Sequence, residues 1–165
     1  MLKEPKIYSN NNPGSAYSNM VNRAEILNEK AVYERLGTHH GIIHCFKALN
    51  ESIELAFANQ GDLSTYIRVN PLPSQKFRVK WIQVVVDAFS HAHARRVVIQ
   101  DISLWNILVH ENSLKLSDFG ESSLPPLDTD MLYMNYGCIS SMKVHFIWNL
   151  CGRGALYTNA MYKSL

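Results

Sequence analysis

The chain has 165 residues, enough for one ordinary domain with a real core or for two small lobes. Hydrophobic residues make up 47% and charged residues 18%, a globular balance that excludes wholesale disorder. The formal charge of +2, with Lys and Arg scattered along the chain, leaves no electrostatic footprint for nucleic acid. Cys45, Cys138 and Cys151 are odd in number and show no CxxC spacing, which predicts reduced thiols and a cytoplasmic, intracellular protein. The opening "MLKEPKIYSNNNPG" has no apolar run of signal-peptide length. Residues 138–157 are apolar but interrupted by Lys143, His145, Asn149 and Arg153, so no membrane span is expected.

In chain order, residues 9–20 ("SNNNPGSAYSNM") are rich in turn formers and predict an exposed loop. Residues 22–36 predict a helix ended by Gly37, with Ile26, Val32, Tyr33 and Leu36 on one face. Glu29 falls within that apolar stripe. It must either meet a cation or lie partly exposed at the stripe's edge. Residues 42–48 and 52–58 have strand character around a polar turn at 49–51. A short helix follows "NQGD", and Ser74 is positioned to cap a long helix. The inward face of that helix would hold Phe77, Trp81, Ile82, Val85, Ala88, Phe89 and Ala92. Residues 107–110 and 114–117 predict a hairpin turning at 111–113. Beyond "SSLPP" the pattern weakens, and residues 125–145 read as irregular.

The hairpin carries the chemistry. Its open ends should bring Asn106 and Asp118 close together, with Asp101 one loop earlier projecting towards the same place. These hard oxygen ligands suit Mg²⁺, which keeps several waters and also binds substrate phosphates. One carboxylate can then act as a base while another holds the metal. Gly120 permits a sharp turn after Phe119.

"DISLWN" followed by "SDFG" resembles the catalytic loop and metal-binding motif of the protein kinase family. Three further segments fall in the family's order. "ILNEKAVYERLGTHHGII" resembles the regulatory helix, "IELAFANQGDLSTYI" the hinge, and "SHAHARRVVIQD" the helix entering the catalytic loop. The wording "VYERLG" is similar to that of kinase-like proteins abundant in fungi. The resemblance implies an α+β, two-lobe kinase fold incomplete at both ends: residues 1–55 a partial N-lobe, 56–62 the hinge, 63–165 a partial C-lobe. It implies ATP and Mg²⁺ as ligands and a protein hydroxyl as acceptor. Asp101 would accept the hydroxyl proton, and Asn106 and Asp118 would hold Mg²⁺. Lys3 would hold the α/β-phosphates, with Lys6 its competitor, and Glu29 would orient it. Leu55 takes the gatekeeper position, and the backbone of Ala56 to Ala58 would meet the adenine.

The departures from the family pattern are equally specific. No Gly-rich loop precedes Lys3, and two strands are expected to be missing. Ile99 and Gln100 stand where the catalytic loop carries His-Arg, and Gln100 removes the cation that would answer a phosphorylated activation loop. Ser103 replaces a common Lys. No Ala-Pro-Glu follows, and Phe146 occupies an anchoring Asp position in "FIWNLCGRGALY". These losses favour, as an alternative, a catalytically impaired pseudokinase-like fragment that binds nucleotide or protein. A small-molecule phosphotransferase of the same broad fold is a third reading, disfavoured by "NQGDL" and the full Asp-Phe-Gly.

Histidines offer a separate signal. His91 and His93, two residues apart on a helix, point in different directions. His39, His40 and His44 sit in a turn and strand with no Cys or carboxylate cluster at zinc spacing, and no catalytic role is expected of them.

Overall fold

A computed structural model describes residues 1–9 and 14–128 of the chain. Expectations for Cys138, Cys151, Phe146 and most of the irregular stretch 125–145 fall outside the described residues. The elements are β1 (Leu2–Lys3), α1 (Ser15–Leu36), β2 (Cys45–Ala48), β3 (Ile53–Leu55), α2 (Leu63–Val69), α3 (Gln75–Ala94), β4 (Ile107–His110) and β5 (Ser113–Leu116).

Helix α1 begins earlier than its apolar pattern suggests, at Ser15 rather than at residue 22. Gly14 turns the chain into it at φ 94°, and Ser18 N–H donates to the Gly14 carbonyl at 3.0 Å. The expected loop over 15–20 is helical because a tertiary contact outweighs weak turn preferences. The Asn19 side chain is buried and clasps Tyr8: its Oδ1 accepts from Tyr8 N–H at 2.8 Å, and its Nδ2 donates to the Tyr8 carbonyl at 2.9 Å. At the other end Gly37 donates its N–H to Tyr33 O and ends the helix where the sequence predicted, at a positive φ of 63° but with ψ −156°, outside the left-handed helical region. The buried stripe holds Ile26, Glu29, Val32, Tyr33 and Leu36.

A three-stranded antiparallel sheet, ordered β1-β3-β2, pairs Lys3 with Ile53 and Ala48 with Ile53 on either side of the central strand. Both predicted strands are shorter in the structure. Ile42 and Ile43 leave the sheet because they are buried against the β4–β5 hairpin instead, with Ile43 N–H donating to Leu116 O at 2.9 Å. The hairpin turns on Glu111 (φ 49°) and Asn112 (φ 60°), two left-handed residues in succession. That fits the right-handed twist of a two-residue connection and starts β5 one residue earlier than expected.

Asp62 caps α2, its carboxylate accepting from Thr65 N–H at 2.7 Å. Ser74 stands at the N-cap of α3, but its hydroxyl makes no cap bond; its carbonyl accepts from Phe77 and Arg78 N–H instead. The inward face of α3 buries Trp81, Val85, Ala88 and Ala92, with Phe77, Ile82 and Phe89 partly covered. Trp81 Nε1 donates to Asn112 O at 2.7 Å and fastens the helix to the hairpin turn. One apolar cluster runs from α1 through β3 to α3 and the hairpin, and each fully buried Leu or Ile in it contributes about 1.5–3 kcal/mol of transfer free energy. Among the described residues no helix is long and apolar enough to cross a membrane.

Candidate active site

Strand β1 lies beside β3 and presents Lys3 to α1. The Lys3 ammonium donates to Glu29 Oε2 at 2.6 Å and to Asp118 Oδ1 at 2.9 Å. The two acids differ in setting: Glu29 is 1% exposed and Asp118 52%. Glu29 Oε1 also accepts from Phe119 N–H at 3.3 Å, so this carboxylate receives a donor from each side. Lys6 lines the same cleft, but its ammonium rests 5.0 Å from the Tyr8 ring centroid rather than on Glu29.

Burial alone would lower the Lys3 pKa, but the Glu29 and Asp118 carboxylates more than offset it and hold the ammonium above its ordinary range. Burial raises the Glu29 carboxyl, against the opposing pull of Lys3. Tyr33, one turn further along α1, is pushed well above the usual phenol range by burial. Its ring meets Phe119 edge-on, centroids 5.2 Å apart at 78°, so the aromatic after Asp118 is seated on the helix that carries Glu29.

Asp118 adopts φ 60°, left-handed backbone unusual for a residue with a side chain. Such conformations persist where the surroundings fix them, and they cluster at functional sites. Here Phe119 is fully buried, and the preceding Ser117 donates both its N–H and its hydroxyl to Asn106 O at 2.9 Å. Asp118 is thereby held at the exit of β5 with its carboxylate turned towards Lys3.

The loop before β4 is closed by Asn106, whose Nδ2 donates to Asp101 Oδ2 at 2.6 Å and to the Asp101 carbonyl at 3.4 Å. Lys3, Glu29, Asp101, Asp118 and Gly120 line a single open cleft. The sequence expected Asn106 to face Asp118; its amide nitrogen is engaged by Asp101, and its backbone carbonyl by Ser117. Leu55 is buried at the end of β3, its N–H on the Met1 carbonyl at 2.8 Å. Ala56 N–H is already spent on His44 O at 2.8 Å, which narrows what the expected adenine edge has to offer. Ala58 is buried, and its carbonyl accepts from Gly61 N–H at 3.3 Å.

Sequence reasoning passed over Asn28, the neighbour of Glu29. Its Nδ2 donates to Gly120 O at 2.8 Å and Ser122 O at 2.7 Å, tying the segment after Asp118 to α1. Arg35 adds a bond to Pro125 O at 2.7 Å. No local pattern signals these contacts, because the acceptors are backbone carbonyls some ninety residues away, the Asn28–Gly120 separation being 92. Ile99 is buried in the core, and Gln100 is exposed with Nε2 on Ser123 Oγ at 2.5 Å.

Comparison with known proteins identifies the family. The chain is 27% identical over 122 residues to mitogen-activated protein kinase kinase kinase dlk-1 of Caenorhabditis briggsae, an alignment covering 73% of this chain and 14% of that protein. It is 36% identical over 107 residues to CBL-interacting protein kinase 4 of Oryza sativa subsp. japonica, covering 61% of this chain and 23% of that one. It is 36% identical over 73 residues to human NUAK family SNF1-like kinase 2, covering 44% and 12%. The chain therefore spans less than a quarter of the length of each of these relatives. The family model for the protein kinase domain matches residues 12–140, a segment that includes Glu29, Asp101, Asn106 and Asp118 and begins after Lys3. By that match over most of its length, the chain belongs to the protein kinase family.

Proposed function

We propose that the cleft binds Mg²⁺·ATP and transfers its γ-phosphoryl group to a Ser/Thr (or Tyr) hydroxyl of a protein. The observation that supports this best is the Lys3 ammonium, held between a buried and an exposed carboxylate beside an Asp101 whose direction Asn106 fixes. An ammonium has three donors, and two are spent here, leaving one for a phosphate oxygen. The donor chemistry fits Mg²⁺: Asp118 is half exposed in the cleft, and Asn106, whose Nδ2 is spent on Asp101, keeps its amide Oδ1 as a second hard oxygen. Bound there, the metal would neutralise charge on the phosphates. Asp101 Oδ1, the oxygen that Asn106 does not engage, would accept the proton of the incoming hydroxyl. Most of the rate gain in such chemistry comes from positioning and charge stabilisation, which these fixed side chains supply. On this reading residues 1–55 act as the upper lobe and 63–165 as the lower. The adenine would meet the Ala56 carbonyl and Ala58 N–H at the connection 56–62, behind the gatekeeper Leu55.

The test is incorporation of label from γ-labelled ATP into a mixture of protein substrates by the full chain and by Asp101→Asn. Label that depends on Asp101 supports transfer; equal incorporation by the variant rejects the role of Asp101. A second reading, a nucleotide- or protein-binding module without transfer, is favoured by one observation. The position before Asp101 holds Gln100, a neutral amide bonded to Ser123, and so offers no cation to a phosphorylated segment. Nucleotide binding without any label transfer would favour that reading.

A further inference from the structure

We infer that the loop after α1 and the middle of α3 form a transition-metal site that takes Zn²⁺ on His39, His40 and Asp87. His39 Nε2 lies 3.2 Å from Asp87 Oδ2 and His40 Nε2 lies 3.5 Å from the same oxygen. One ligand atom from each of the three residues lies within 4.8 Å of the others. Zinc bonds to imidazole and carboxylate are about 2.0–2.1 Å long, so two ligands at a tetrahedral angle stand about 3.3–3.4 Å apart. Two edges of the triangle are within about 0.2 Å of that length, and the third, no longer than 4.8 Å, closes with a shift of up to about 1.4 Å. Two imidazoles and one carboxylate are a donor set for a borderline-soft ion such as Zn²⁺, whereas Mg²⁺ prefers oxygen.

The scaffold positions these groups without an ion. Gly41 brings the loop onto α3 so closely that an added Cβ would stand 2.8 Å from the Cβ of Ala88, next to Asp87, and 2.9 Å from the carbonyl of Val84, three residues before it. Gly41 O accepts from Leu116 N–H at 2.8 Å, which fixes the loop from the hairpin side. The His39 ring stacks on His91, centroids 4.2 Å apart at 25°, and His91 Nε2 is held by Leu36 O at 2.9 Å. His39 is mostly buried, whereas His40 and Asp87 are exposed, so the site has a rigid inner arm and an open face where water completes the coordination. Among the described residues this group was invisible to motif spacing, because its carboxylate comes from a distant helix. It corrects the expectation that no carboxylate joins His39 and His40. His44, by contrast, packs edge-on against Phe46 and takes no part.

One contact opposes the ion. Gly41 N–H donates to His39 Nδ1 at 3.1 Å, which leaves the imidazole proton on Nε2. Metal binding at Nε2 must move that proton to Nδ1 and give up the Gly41 bond, because simple release would leave an imidazolate. A single neutral hydrogen bond is small beside three metal–ligand bonds, so the exchange favours the ion. The inference is independent of the phosphoryl-transfer reading and needs no activity to test it.

Co²⁺ alone, titrated into the full chain, reports the site by its visible absorption. The expected result is one equivalent bound with the strong bands of tetrahedral coordination, displaced by Zn²⁺ and unaffected by excess Mg²⁺. Asp87→Asn and His40→Ala alter exposed side chains and should each weaken binding about tenfold or more while leaving the circular dichroism unchanged. His110→Ala, a histidine away from the site, should bind as the parent does. Absence of the tetrahedral bands, equal affinity in Asp87→Asn and His40→Ala, or loss of binding in His110→Ala would overturn the assignment.

Discussion

Glu29 and Asp118 share one ammonium and differ in almost everything else. Glu29 lies inside the protein with Lys3 on one oxygen and Phe119 N–H on the other, while Asp118 leaves about half its side chain to solvent. In the interior a carboxylate loses hydration that only close, well-directed partners replace, so Glu29 is tied to the fold through Lys3. At the cleft the same ammonium is screened by water, and its contact with Asp118 contributes little to stability. The comparison makes the buried acid an anchor, and on the proposed function leaves the exposed one to meet the ligand.

The largest effect should come from removing the shared cation. Lys3→Met strands the buried Glu29 carboxylate and should cost about 3 kcal/mol in urea unfolding. Adding Glu29→Gln should restore most of it, because the amide needs no counter-charge. A Lys3→Met variant as stable as the parent would show that Glu29 is not anchored in this way. The pH dependence sharpens the same point. The Lys3 pKa is raised in the fold, so its contribution is complete below the ordinary lysine value of about 10.4 and is lost as pH climbs through the folded value. The gap between parent and Lys3→Met should therefore narrow in strong alkali, where Lys3 is neutral, and also in acid, where a protonated Glu29 needs no counter-charge. Glu29 is also raised, so its own titration favours the fold at acid pH, fully below about 4.3, and that contribution disappears as pH rises through its folded value.

A smaller effect is expected at Asn28, which joins the two acids' surroundings through Gly120 O and Ser122 O. Asn28→Ala leaves two carbonyls without their donor and should destabilise by about 2 kcal/mol, read as a lower denaturant midpoint with unchanged slope. The smallest stability change belongs to Asp118→Asn, within about 1 kcal/mol of the parent because its ion pair is exposed. If Asp118→Asn unfolded as readily as Lys3→Met, the division between anchor and ligand would fail.

Much of this arrangement could be read from the residues in order. Asp101 and Asn106 are five apart on one loop, and local geometry brings them to 2.6 Å. Glu29 declared itself by interrupting an apolar stripe, a conflict that the Lys3 ammonium resolves. What stayed hidden depended on distant partners. The early start of α1 rests on Asn19 clasping Tyr8, against the local preference of Ser and Asn for turns. Ile42 and Ile43 have strand propensity, yet burial against the hairpin took them from the sheet. Ser74 was located at the cap, but its carbonyl rather than its hydroxyl serves there. Asp87 joined two histidines that no spacing rule would connect to it.

Nucleotide affinity measured with and without Mg²⁺, in the parent and in Asp118→Asn, tests the division of labour most directly. The parent should bind ATP about tenfold or more tightly with Mg²⁺ than in chelator, a difference of about 1.4 kcal/mol or more. Asp118→Asn, folded as the parent is, should lose that metal dependence and bind weakly in both conditions. Equal affinity and equal metal dependence in the two proteins would contradict the account.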